Sequence, residues 1–232
     1  MPANTTDNLD CIVINPKTKA QKCIIWLHGL GADGHDFAPI VPELRLPESL
    51  NVRFVFPHAP IMPVTINAGY EMRAWFDIHG ISAQAKIDEA GIKKSEELLR
   101  SYIATQEADG ISSDNIILAG FSQGAVVALI TGLCFEKPLA GIMALSGFLP
   151  LAEKILQHAS PINSRIPIFM AHGTEDTIVP YAFGKASYVA LSTAGYSINW
   201  HSYPMPHSVC AEEIADIREW IIKAYQLKNQ VV

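Results

Sequence analysis

The chain predicts an α/β fold, a mostly parallel central sheet with helices on both faces. Three observations carry that prediction. Short apolar runs bounded by glycine, proline or polar residues recur along the chain, as strands covered on both faces require. Between them lie segments with apolar residues at three- and four-residue spacing, the pattern of amphipathic helices. The 232 residues are 49% hydrophobic and 17% charged, enough to bury a sizeable core. No internal repeat, low-complexity stretch or linker interrupts them, so residues 1–232 are expected to form one domain.

In order, "CIVIN" (11–15) reads as an antiparallel edge strand and "KCIIWL" (22–27) and "VRFVF" (52–56) as interior strands. Residues 57–85 hold several prolines and glycines and fit neither period, so they read as a long excursion near the active site rather than as packed elements. A helix over 86–108 aligns Ile92, Leu99 and Ile103, with Leu98 and Tyr102 beside them. Further strands are expected at "NIILA" (115–119), "AGIMAL" (140–145), "IPIFMA" (166–171) and "SINWHSY" (197–203). The segment "YAFGKASYVALSTAG" is helical and stops at a glycine. "AEEIADIREWIIKAYQL" carries Ile214, Ile217, Trp220, Ile221 and Tyr225 along one stripe.

Composition excludes several classes. A net charge of −6 with no basic block argues against nucleic acid, whose phosphates need a positive face. No apolar run is long enough to span a bilayer, so no stable membrane insertion is expected. The first residues lack the apolar core of a signal peptide, and the four cysteines (11, 23, 134 and 210) lack disulfide or zinc spacing. A reduced, cytoplasmic protein is the expectation.

The chemistry centres on Gly120-Phe121-Ser122-Gln123-Gly124, where a strand-like run meets a helix-like run. A serine hydroxyl is a poor nucleophile until a base takes its proton and donors stabilise the oxyanion. A G-x-S-x-G turn between strand and helix supplies the setting, because its glycines admit close backbone and the helix N-terminus faces the developing charge. The pentapeptide alone is weak, since a serine in a glycine-rich turn can be merely structural. Partners in the order Ser, acid, His strengthen it. His158 falls in a helical segment, His172 directly after a strand and His201 within one. His207, in "YPMPHSVC" between the last strand and last helix, is the expected base. The acid comes from "AHGTEDTIVP": Asp176 is the choice and Glu175 its competitor. The two oxyanion donors are expected to be the backbone N–H of Gln123 and that of Leu30, in the glycine-rich "WLHGLGADGHDF". That loop lacks the phosphate-binding Walker pattern. His28 and His35 stand without an H-E-x-x-H or a carboxylate cluster, so no metal is expected.

The motifs "LHGLGADGHDF", "PVTINAGYEMRAWFDI", "GFSQGA", "HGTEDTIVP" and "PMPHSVC" together resemble the acyl-protein thioesterase/carboxylesterase (phospholipase/carboxylesterase) family, especially its bacterial branch, over roughly residues 10–225. The resemblance implies an α/β-hydrolase without cofactor. It carries over Ser122, Asp176 and His207 as a triad and Leu30 and Gln123 as oxyanion donors. Two positions depart from it. Ala125 stands where members commonly have glycine, and Phe148 where they often have tryptophan, which leaves chain-length preference open.

For the acyl pocket, the 57–85 excursion offers Trp75, Ile78 and Ile81, and the resemblance adds Phe148 and Ile178. The expected function is a serine hydrolase cleaving carboxylic esters or thioesters of acyl chains, on a small molecule, lipid or acylated protein. A lysophospholipase, a peptidase on the same fold, or an inactive hydrolase-fold binding protein are the alternatives. An apolar loop near the site leaves a homodimer open.

Overall fold

A computed structural model of the chain describes residues 10–80, 82 and 85–227. Its strands are β1 (Cys11–Ile14), β2 (Lys22–Leu27), β3 (Val52–Pro57), β4 (Ile61–Val64), β5 (Tyr70–Arg73), β6 (Ile116–Phe121), β7 (Gly141–Leu145), β8 (Ile168–Gly173) and β9 (Ile198–Tyr203). Seven form one sheet in the order β1-β3-β2-β6-β7-β8-β9. Every pairing in it is parallel except β1 with β3. The helices are α1 (Ile40–Leu44), α2 (Glu89–Ala108), α3 (Gln123–Cys134), α4 (Ala152–Gln157), α5 (Tyr181–Thr193) and α6 (Ala211–Leu227).

The continuous apolar runs have a direct cause. Alternate residues of β2 feed opposite cores, Cys23, Ile25 and Leu27 on one face and Ile24 and Trp26 on the other. The first core takes Ile92, Leu99 and Ile103 of α2, nearly the whole of α3, and Leu191 of α5. The second takes Ile40 and Leu44 of α1 and Ile217, Trp220 and Ile221 of α6. A strand covered on both faces has no polar side to alternate with, and each buried large aliphatic contributes about 1.5–3 kcal/mol.

Several boundaries depart from the sequence reading. β6 extends through Gly120 and Phe121, because they pair with Leu27 of β2 and with Ala144 and Leu145 of β7. β8 begins after Pro167 and carries His172 and Gly173 inside it, paired with Ser202 and Tyr203. α1 and α4 are too short for a 3.6-residue period to register. The 57–85 segment is a correction: it contains the antiparallel β4–β5 hairpin, and Ala74, Trp75 and Phe76 beyond it are buried. Pro63 lies within β4, and Ile61 and Tyr70 are 65% and 72% exposed, so the hairpin lacks an apolar-in, polar-out alternation. Among the described residues no helix is long and apolar enough to cross a membrane, and the four cysteines are free thiols.

Candidate active site

Ser122 sits between β6 and α3 with φ 54° and ψ −116°, a left-handed conformation that costs a non-glycine residue about 1–3 kcal/mol. The flanking glycines follow from the close approach this turn imposes. A Cβ on Gly120 would lie 2.3 Å from the carbonyl oxygen of Gly124, and one on Gly124 would lie 2.5 Å from that of Leu27. The Ser122 N–H donates to Leu145 O at 2.8 Å, tying the turn to β7. Residues 123–133 of α3 are buried throughout, so the positive end of the helix reaches the serine through little water.

The expected acid and base meet. His207 Nδ1 lies 2.6 Å from Asp176 Oδ2, and the Asp176 side chain is fully buried. Asp176 Oδ1 accepts from the N–H groups of Ile178 (2.9 Å) and Val179 (2.8 Å), which fixes the carboxylate on the turn after β8. A carboxylate oxygen accepts, so His207 carries its proton on Nδ1 and presents a lone pair at Nε2. The ring rests on Phe121, the neighbour of Ser122, with centroids 4.7 Å apart. Glu175, the competing acid, is exposed. His201 bonds instead to Asn199 and Asp216 at the edge strand. His172 lies buried behind the acid, with Nε2 2.9 Å from Val179 O and 3.4 Å from Asp176 Oδ2. Burial holds its pKa below the usual histidine value.

The glycine-rich loop after β2 runs beside the serine: a Cβ on Gly29 would lie 3.4 Å from Ser122 Cβ. Leu30, Ser122 and Gln123 border one cavity. Among the described residues, no protein group accepts from the N–H of Leu30 or of Gln123. Two features here escaped the sequence reading. The Gln123 side chain is a clamp: Oε1 accepts from Trp75 N–H at 2.8 Å, and Nε2 donates to Phe76 O at 2.6 Å. His28, 1% exposed, bridges Gly29 O and Ala59 N, and burial lowers its pKa as well. Its position directly before the glycines was the one signal available.

The cavity, about 700 Å³, is mostly apolar and within the size range of small-molecule sites. Ile78, Phe148 and Ile178 line it, Ile178 at its rim with 52% exposure. Trp75 requires correction: it is 2% exposed, its indole N–H donates to His28 O at 2.8 Å, and the wall is formed by the next residue, Phe76. Ile81 lies outside the described residues. Val126, one helical turn after Ser122, and Phe183 of α5 also face the cavity, the latter with its ring 5.6 Å from that of Phe148. Val126 was accessible from the i, i+4 spacing; Phe183 depends on how α5 packs.

Among the described residues, Asp33, His35 and His58 bring potential metal-ligating atoms within 4.8 Å of one another. Those atoms already have partners. His35 Nδ1 lies 3.0 Å from Asp33 Oδ1, and His58 Nδ1 accepts from Gly34 N–H. His58 Nδ1 is thereby occupied by the backbone of the glycine-rich loop.

A model of the phospholipase/carboxylesterase family matches residues 8–225. Acyl-protein thioesterase 1 of Cryptococcus neoformans is 36% identical, covering 94% of this chain and 98% of its own length. That of Mycosarcoma maydis is 38% identical, covering 93% and 97%. Among solved structures, SOBER1 of Arabidopsis thaliana superposes with a TM-score of 0.84 at 32% identity, covering 89% of this chain and 100% of its own. Acyl-protein thioesterase 2 of Zea mays gives 0.83 at 31%, covering 92% and 98%.

Proposed function

Because the chain belongs to the phospholipase/carboxylesterase family and is a hydrolase of the α/β-hydrolase fold, we propose that it cleaves carboxylic esters or thioesters of acyl chains through an acyl-enzyme on Ser122. The observation that carries this reading is the 2.6 Å bond from His207 Nδ1 to the buried Asp176, with the ring set on Phe121 beside a strained serine. His207 Nε2 takes the Ser122 proton as Oγ attacks the carbonyl carbon. Asp176 holds the ring and supports the imidazolium. The N–H groups of Leu30 and Gln123 receive the oxyanion, and losing one such donor typically slows catalysis by about 10²–10³. The leaving alcohol or thiol departs with the proton from His207, and water activated by the same nitrogen releases the acid.

The apolar cavity supports an acyl chain as the recognised group, with Phe76, Ile78, Phe148 and Ile178 among the side chains that line it. The names of the relatives make acylated proteins one source of such chains. Hydrolysis of p-nitrophenyl esters from acetyl to palmitoyl, and of palmitoyl thioesters, tests the reading. The wild type should turn over both, with an optimum at medium or long chains, and Ser122→Ala should abolish turnover. Activity surviving in Ser122→Ala would overturn the assignment. An inactive wild type unlabelled by a fluorophosphonate would favour a binding protein.

A further inference from the structure

We propose that His28 is a positioning residue of the oxyanion hole, acting as a neutral ring of one tautomer that sets the direction of the Leu30 N–H. The inference rests on the reading of Leu30 as an oxyanion donor. His28 Nδ1 lies 2.7 Å from Gly29 O, and a carbonyl oxygen can only accept, so Nδ1 carries hydrogen. His28 Nε2 lies 3.0 Å from Ala59 N, and an amide N–H can only donate, so Nε2 carries a lone pair. One protonation state satisfies both contacts, and the side chain is buried among them.

Gly29 O and the Leu30 N–H belong to the same peptide plane. In a trans peptide these two groups point in opposite directions, so a ring that captures the oxygen also aims the N–H. This peptide needs such a hold because Gly29 and Gly31 flank Leu30, and glycine resists rotation least. The chain on either side is fastened separately. Trp75 Nε1–H donates to His28 O at 2.8 Å, and Gly31 N–H donates to Arg73 O at 2.8 Å. Those bonds fix where the loop runs. The Gly29 carbonyl itself also accepts from Ala32 N–H at 3.3 Å, and the shorter 2.7 Å imidazole bond is the stronger hold on which way the intervening peptide faces. The same geometry gives Trp75 its role, as the strut beneath the histidine carbonyl.

The two halves of the imidazole can be tested apart. His28→Asn places an amide nitrogen near the Nδ1 position and keeps a donor for Gly29 O. His28→Gln places its amide near Nε2, keeps an acceptor for Ala59 N–H and loses the donor. With a p-nitrophenyl ester, His28→Gln should lower kcat by about 10- to 100-fold, below the loss of a whole oxyanion donor, with KM within about twofold. His28→Asn should stay within about threefold of the wild-type kcat. Affinity for a long-chain trifluoromethyl ketone, which forms an oxyanion on the serine, should fall in parallel with kcat/KM, while affinity for the fatty alcohol of equal length should not. The proposal is overturned if His28→Gln retains wild-type kcat, if the two variants fall equally, or if ketone and alcohol binding weaken together. Ser122→Ala in the same assay separates the two levels. Activity in that variant removes the reading of the site, whereas an inactive Ser122→Ala beside an unaffected His28→Gln removes only the role of His28.

Discussion

Replacing Gln123 by glutamate changes almost no volume and reverses one hydrogen bond. Gln123 is 4% exposed, accepts from Trp75 N–H and donates to Phe76 O. A protonated carboxyl group at this position reproduces both bonds, its O–H replacing the amide donor. The ionised carboxylate keeps the first bond but turns a second lone pair toward Phe76 O. Breaking a buried polar pairing and leaving a charge uncompensated costs about 3–5 kcal/mol. The N-terminus of α3, where residue 123 opens the helix, returns about 1 kcal/mol to a negative charge. Desolvation and the lost donor therefore win, leaving a penalty of about 2–4 kcal/mol. For a chain of this length 1 kcal/mol moves Tm by about 2–4 °C, so Gln123→Glu should lower Tm by about 4–16 °C at pH 8. The sign with pH follows from linkage. The folded carboxyl titrates above its unfolded value near 4.3, so the penalty is absent below about pH 4, grows as the unfolded state ionises, and levels off above the folded pKa. Thermal unfolding followed by circular dichroism at pH 4, 6 and 8, always as variant minus wild type, measures it. A difference that does not change with pH would refute the reasoning. Gln123→Ala, which strands both partners, should show a constant one.

Three further outcomes are expected. Gly124→Ala should prevent stable folding, because its Cβ would meet backbone oxygens of Leu27 at 2.5 Å and His28 at 2.7 Å, whereas Ala125→Gly should fold; soluble yield and chemical denaturation distinguish them. Ala186→Phe fills part of the cavity and should move the ester optimum to shorter chains, with acetyl ester turnover unchanged within about threefold; an unmoved optimum would place the acyl chain elsewhere. Glu213 is fully buried, with no hydrogen bond of ordinary geometry to either oxygen, and burial pushes its carboxyl up to about 8. This group therefore subtracts stability as pH rises from about 4.5 to 8, and Glu213→Gln should gain Tm relative to wild type across that window; a difference flat with pH would contradict the shift.

The α/β class was legible in residues 22–27, 115–119 and 140–145 because strands buried on both faces must be apolar throughout, a constraint local enough to appear in the sequence. That Ser122, Asp176 and His207 each follow a strand was legible for a similar reason, and parallel strands bring such ends to one side of the sheet. The hairpin within 57–85 was not legible, because an exposed ribbon with a proline obeys no burial period. Nor was the choice of Phe76 over Trp75 for the cavity wall. Adjacent side chains in an aperiodic segment are sorted only by what they pack against, here His28 O for the indole and open space for the phenyl. The tautomer of His28 and the clamp of Gln123 belong to the same class. They depend on single donors and acceptors, Ala59 N–H, Trp75 N–H and Phe76 O, contributed from 31 to 48 residues away. Hydrophobic pattern is written residue by residue along the chain, whereas hydrogen-bond direction exists only once distant backbone groups have been brought face to face.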